Sequence, residues 1–189
     1  MTRKEAMKYN DRLKKELEQT ALKYGLEKTA GTYIMDNYIT VLPEDARKGM
    51  IFLGEDSVSY KVGNIKMDLK KAVIAGLEFA ASISKPESIF NYIQLIIVSV
   101  FFIEKSAKQE LSRLEAYVVY LLHKKGIYDT GVDEEGFIGE VQEWYQHKEG
   151  KTVGREEVVD AINNLYEIKV VDFDSGNICL KEHVWGTVE

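Results

Sequence analysis

Apolar positions recur at three- and four-residue intervals over Thr2–Tyr24, at Ala6, Leu13, Leu17, Ala21 and Tyr24. That period predicts one amphipathic helix with a narrow apolar stripe and a charged remainder, stopped at Gly25. So narrow a stripe suits packing on a neighbour, in the same chain or a second copy, more than burial in a core. The period changes over Gly31–Asn64. Thr32-Tyr-Ile-Met-Asp-Asn-Tyr-Ile-Thr-Val-Leu42 is rich in β-branched and aromatic residues and reads as one long strand, or as a hairpin turning at Asp36-Asn37. Pro43–Gly49 reads as a loop or one helical turn. Met50-Ile-Phe-Leu-Gly and Ser57-Val-Ser-Tyr-Lys-Val flank Glu55-Asp56 in a second hairpin, giving a small antiparallel sheet.

Met67–Ile83 returns to the helical period, with Ala72, Val73, Gly76, Leu77, Ala80 and Ala81 forming a face that lets another helix approach closely. Ser84-Lys-Pro-Glu87 is a start signal: Ser84 and Glu87 suit a capping box, and Pro86 falls in the first turn. The helix it opens carries no charge from Ile89 to Ile103. A membrane span needs about 20 apolar residues. This run is shorter, is interrupted by Asn91 and Gln94, and ends at Glu104-Lys105, so it reads as the central helix of a domain or dimer.

The C-terminal part reads as helix, helix, helix and two strands. Leu111–Lys125 has Leu114, Val118, Leu121 and Leu122 on one side with Tyr117 beside them, and Gly126 closes it. Asp133–His147 buries Phe137, Ile138, Val141 and Trp144 or Tyr145. After a turn at Lys148–Lys151, Thr152 is the expected cap of a third helix, Gly154–Tyr166, with Val158, Val159, Ile162 and Leu165 inward. Ile168–Phe173 and Asn177–Lys181 read as strands around Asp174-Ser-Gly176, where Gly176 is free to take positive φ.

From Leu111 to Trp185 this pattern resembles the winged-helix superfamily, best over Val153-Gly-Arg-Glu-Glu-Val-Val-Asp-Ala-Ile-Asn-Asn-Leu-Tyr-Glu-Ile-Lys-Val-Val171. The resemblance implies a recognition helix followed by a wing strand. In DNA-binding members such a helix presents its outward residues to bases and phosphates. The matching residues here are Arg155, Glu156, Asp160, Asn163, Asn164 and Glu167, with a wing tip running from Asp172 through Asp174 to Asn177. The expected organisation is therefore α+β. An N-terminal domain, residues 1–106, holds the first helix, the small sheet and two apolar helices, the central one over 87–105. A winged-helix domain follows over 107–189.

Charge sets this domain against DNA. Residues 107–189 hold 9 Lys+Arg and 17 Asp+Glu, a net of −8, whereas residues 1–106 hold 16 and 14, a net of +2. Affinity for a duplex comes largely from cations that displace its counterions. The acidic face fits a protein-docking role better, with a basic partner. The whole chain of 189 residues carries a net charge of −6, with 45% hydrophobic and 30% charged residues, the composition of a folded protein. The single Cys179 excludes an internal disulfide and fits a reducing cytoplasm, and the polar N-terminus lacks the apolar core of a signal peptide.

No catalytic or metal constellation emerges, and no cofactor is expected. His123, His147 and His183 lie far apart, without a second ligand at metal spacing, and read as surface or capping residues. Cys179 reads as a small buried hydrophobe. Gly131, Gly136 and Gly139 do not form a phosphate loop. Asp133-Glu-Glu135 and Glu156-Glu157 are acids of first helical turns, favoured there by the helix dipole. The 11 tyrosines lean toward an interaction role. The expectation is a non-enzymatic interaction or adaptor protein, a homodimer outside the membrane. The alternative is a dimeric winged-helix regulator with nucleic-acid contacts from Lys14, Lys15, Arg155, Asn163 and Asn164.

Overall fold

The computed structural model describes residues 2–43, 65–82, 87–104, 112–128 and 130–186. Helix α1 spans Arg3–Lys23. Thr2 caps it: the Glu5 amide donates to Thr2 Oγ1 at 3.3 Å, and the Thr2 amide donates to Glu5 Oε2 at 2.7 Å. Gly25 ends it at φ +70°. Its buried face holds Ala6, Tyr9, Leu13, Leu17, Thr20 and Ala21, so the stripe packs inside its own chain.

The partner is helix α2, Lys28–Tyr38. This corrects the strand or hairpin expected over Thr32–Leu42, of which only β1, Ile39–Val41, is extended. Strand propensity yields here to a tertiary contact. Ala30, Gly31, Ile34 and Met35 form one buried helical face. A Cβ on Gly31 would lie 2.4 Å from the Leu17 carbonyl carbon and 2.6 Å from the Glu18 nitrogen. Only glycine lets the two backbones cross this closely.

Strand β2, Ile65–Asp68, pairs antiparallel with β1 in the register Ile39↔Met67. It leads directly into α3, Leu69–Ser82, and then α4, Glu87–Glu104. The second expected hairpin and the Ser84–Pro86 start signal lie outside the described residues. In α4, Tyr92, Ile93, Leu95, Ile96, Ile97, Val98, Val100, Phe101 and Ile103 are at most 3% exposed. They are covered by α1, α2, α3 and the elements that follow. The Tyr9 hydroxyl donates to the Phe102 carbonyl at 3.2 Å, pinning α1 to α4. Among the described residues no helix is long and apolar enough to cross a membrane.

The C-terminal elements are α5 (Arg113–Lys124), β3 (Val132–Asp133), α6 (Glu134–Glu149), α7 (Arg155–Glu167), β4 (Val171–Asp174), β5 (Asn177–Leu180) and β6 (His183–Gly186). Strands β3, β5 and β4 make an antiparallel sheet in that order, and Tyr128 bridges to Leu180 beside it. The two-residue turn between β4 and β5 has positive φ at both Ser175 (52°) and Gly176 (85°), the twist that suits a tight hairpin. Thr152 does not cap α7. Gly154 occupies the cap position, and its amide donates to Glu157 Oε2 at 2.7 Å. Nor does Ile168 begin a strand: its amide still bonds the Asn164 carbonyl, and Lys169 turns the chain with φ 60° before β4 begins.

Strand β6 pairs with β2, Asp68 opposite His183 and Ile65 opposite Gly186. Strand β6 thus joins the sheet begun by the N-terminal part. Lys70 reinforces the junction, donating its amide to the Glu182 carbonyl at 3.1 Å and its ammonium to Glu182 Oε1 at 2.5 Å. Seven helices and two small antiparallel sheets among the described residues make the protein α+β.

Candidate functional site

Helix α7 turns Val158, Ala161, Ile162 and Leu165 inward onto α5, α6 and β4. Glu156, Asp160, Asn163 and Glu167 are exposed. Their spacing of four, three and four residues lines them up as one stripe. Val159, expected inward, sits half-buried at the margin.

The remaining candidates are already engaged. Arg155 grips Glu135 through both guanidinium nitrogens, Nη1 to Oε2 at 2.5 Å and Nη2 to Oε1. The hydrogen bonds from Arg155 hold the Glu135 carboxyl below its ordinary range, and Glu135 in turn raises Arg155. Asn164 is half-buried, and its Nδ2 donates to Glu115 Oε1 at 3.1 Å. On the wing, Asp172 is ion-paired with Lys181 and accepts the Phe173 amide at 3.1 Å. Asp174 is exposed at the tip and accepts the Ser175 hydroxyl at 3.1 Å. Asn177 is half-buried, facing Asp133 on one side and Asp174 on the other. Among the candidate residues, the exposed carboxylates outside these ion pairs are Glu156, Asp160, Glu167 and Asp174.

An aromatic pair escaped the sequence reading. Tyr166 is 48% exposed and meets the Phe173 ring edge-on at 5.2 Å, beside the acidic stripe. An outward tyrosine one position before Glu167 was the available signal.

The alternative cations lie on other elements. Lys14 is held by both oxygens of Asp36, at 3.0 and 2.8 Å, and so ties α1 to α2. Lys15 is exposed, as are Arg3, Lys4, Lys8 and Arg12, and Arg12 lies 4.8 Å over the Tyr9 ring. Helix α1 packs on α2, α4 and β1, whereas α7 packs on α5, α6 and β4. Lys14 and Lys15 are thus not part of the surface that carries Asn163.

Among the described residues no group of three His, Cys, Asp or Glu side chains is placed to hold a metal ion. His123 is half-buried, not a surface residue, with Nδ1 2.6 Å from the Tyr128 hydroxyl. Burial pushes its pKa down. His147 is exposed, and His183 lies 3.9 Å from Asp68. Cys179 is buried, its Sγ 3.8 Å from the Asp172 carbonyl. A groove of about 480 Å³ between α5 and α6 is lined by Leu121 and Trp144 with Lys124, Lys125, Glu140, Glu143 and His147. Lys124 and Lys148 lie 4.7 and 5.1 Å over the Trp144 ring, and Lys125 is paired with Glu140, so charges of both signs meet there. Comparison with protein-family models, with curated proteins and with solved structures finds no match to this chain.

Proposed function

We propose that this is a non-enzymatic interaction protein whose C-terminal elements form a winged-helix module that docks a basic protein surface. The order α5, β3, α6, α7, β4, β5, with β5 central in its sheet, supports the winged-helix resemblance. Fold alone does not assign function. The observation that carries the docking role is the exposed stripe of Glu156, Asp160, Asn163 and Glu167, flanked by cations that are already neutralised, Arg155 by Glu135 and Lys181 by Asp172. Complementary charge governs partner choice and encounter rate more than raw affinity. Phosphates would meet uncompensated carboxylates on this face.

The test is capture of partners by the full chain from native lysate, with and without nuclease, beside a Glu156→Lys, Asp160→Lys, Glu167→Lys variant. A nuclease-resistant partner lost in the variant supports docking through α7. Capture abolished by nuclease favours the regulator, for which the exposed Arg3, Lys4, Lys8 and Lys15 of α1 speak. A homodimer is not called for by α4, which its own chain covers. As a proposal it now rests on Met7 and Leu22 of α1, 64% and 52% exposed. Placement in the cytoplasm is likewise a proposal, resting on the single cysteine.

A further inference from the structure

Two exposed helix faces carry opposite charge at the same spacing. On α7, Glu156, Asp160 and Glu167 are separated by four and then seven residues, and all three are exposed. On α1, Lys4, Lys8 and Lys15 are separated by four and then seven residues, and all three are exposed. Steps of four and seven keep each set on one line of its helix. At roughly 1.5 Å of rise per residue, each set spans about 16 Å, with its middle charge about 6 Å from the first. The position between the second and third charges corresponds too: Asp11 follows Lys8 by three residues, Asn163 follows Asp160 by three, and both are exposed. Each helix packs through its other side, α1 through Tyr9, Leu13 and Leu17 and α7 through Val158, Ile162 and Leu165. Both charged faces are therefore open in the single chain and do not neutralise each other within it.

We propose that the basic surface docked by α7 is helix α1 of a second copy of this chain, laid parallel to it so that Lys4 meets Glu156, Lys8 meets Asp160 and Lys15 meets Glu167. The inference rests on the docking reading of the α7 stripe and names its partner. The charges also set the direction. The parallel register places Asp11 opposite the neutral Asn163. The reversed register, Lys4 on Glu167 and Lys15 on Glu156, sets Asp11 against Asp160 and leaves Lys8 on Asn163, so one attraction is lost and one repulsion gained. The same complementarity holds for the two parts of the chain, net +2 over residues 1–106 and net −8 over 107–189. Exposed ion pairs are individually weak and are screened by salt, so the contact is reversible and strongest at low ionic strength. Every copy carries both faces, and the contact therefore closes on a two-fold axis or repeats head to tail.

The test is sedimentation velocity of the full chain over a concentration series. Self-association is expected with Kd on the order of 100 µM at ~20 mM salt, weakening roughly tenfold or more at ~300 mM. Glu156→Lys, Asp160→Lys and Glu167→Lys together raise the net charge from −6 to 0, which in general promotes association. That variant should nevertheless be monomeric, and so should Lys4→Glu, Lys8→Glu and Lys15→Glu together. All six substitutions in one chain return the net charge to −6 and should restore self-association with the signs exchanged. Carbodiimide coupling of a mixture of isotope-labelled and unlabelled wild-type chains should join Lys8 to Asp160 and Lys15 to Glu167 between copies. A wild type that stays monomeric up to about 500 µM at low salt overturns the proposal. So does association that survives either triple reversal, or a six-fold variant with native circular dichroism that stays monomeric. Cross-links in the reversed pairing, Lys4 to Glu167 and Lys15 to Glu156, overturn it as well. If the wild type is monomeric while the α7 variant still loses a nuclease-resistant lysate partner, docking through α7 stands and the second copy alone is ruled out as its partner.

Discussion

Nδ2 of Asn164 on α7 donates to Oε1 of Glu115, a carboxylate only 6% exposed in the first turn of α5. The other oxygen of Glu115 accepts the Ser112 amide at 2.6 Å and the Ser112 hydroxyl. One buried carboxylate therefore closes the cap of α5 and fastens α7 to it across 49 residues of sequence. A residue that the winged-helix resemblance offers as a base reader is in this protein part of the fold.

Asn164→Ala should accordingly lower stability by about 1 kcal/mol, the usual net worth of one hydrogen bond. Glu115→Ala should cost more, about 2–3 kcal/mol, because it removes the cap and leaves the Ser112 and Asn164 donors unmatched at once. Urea denaturation of both variants measures this. Asn163→Ala, on the exposed stripe, should stay within about 0.5 kcal/mol of wild type.

Gly31→Ala tests the α1–α2 crossing. In a solvent-exposed helix this change stabilises by about 1 kcal/mol. Here the new methyl would meet backbone atoms of Leu17 and Glu18 that cannot turn aside. The sign should reverse, with a loss of about 2–3 kcal/mol as the helices are pushed apart. A melting temperature equal to or above wild type would refute the crossing.

That crossing also shows where sequence reading ends. Helices α1, α5, α6 and α7 repeat apolar residues at the helical period, and the hairpin of β4 and β5 announces itself through Ser175-Gly176. Residues 32–38 carry Thr, Tyr and Ile that favour strands, and only the packing of Ala30, Gly31 and Ile34 on α1 makes them helical. Strand β3 is two residues long and leaves no period to detect. At the α7 face the resemblance picked out Glu156, Asp160, Asn163 and Glu167, which are exposed, but also Asn164, which is half-buried and bonded to Glu115. Which of them remain free was not legible, since Arg155 with Glu135 and Asp172 with Lys181 are settled by contacts between elements.

Within α7 the depth of burial should grade the cost of truncation. Ile162 is fully buried, and Ile162→Ala should cost about 2–4 kcal/mol through lost burial and an unfilled cavity. Val159 sits at the margin, and Val159→Ala should cost clearly less, about 1 kcal/mol. Thermal denaturation in parallel measures both. Equal effects would mean the helix is rotated about its axis.

His123 makes stability depend on pH. Burial depresses its pKa below the ordinary 6.5, so the folded state prefers the neutral ring that faces the Tyr128 hydroxyl. A depressed folded pKa means that the unfolded chain binds the proton first as pH falls. The contribution is present above about pH 6.5 and is lost as pH falls through the folded value. The difference in urea midpoint between wild type and His123→Asn should therefore shrink as pH drops from about 7.5 to about 5.5. A constant difference would remove His123 from the account.

DNA binding by the full chain should be weak at physiological salt, with Kd no tighter than the roughly 10⁻⁴–10⁻⁶ M of non-specific complexes. Arg155 and Lys181, two cations of the α7 and wing surface, are each neutralised by an acid. Whatever affinity is seen should come from α1. Lys4→Glu, Lys8→Glu and Lys15→Glu together should abolish it, because those side chains are exposed. Lys14→Glu does not make a clean test, since Lys14 joins α1 to Asp36 of α2 and its reversal would disturb the fold. Fluorescence titration of labelled duplex at two salt concentrations measures the affinity and its salt slope together. If instead Asn163→Ala weakens binding and the α1 reversals do not, the third helix enters a groove despite its acids. The protein-docking reading of the stripe would then give way to the regulator.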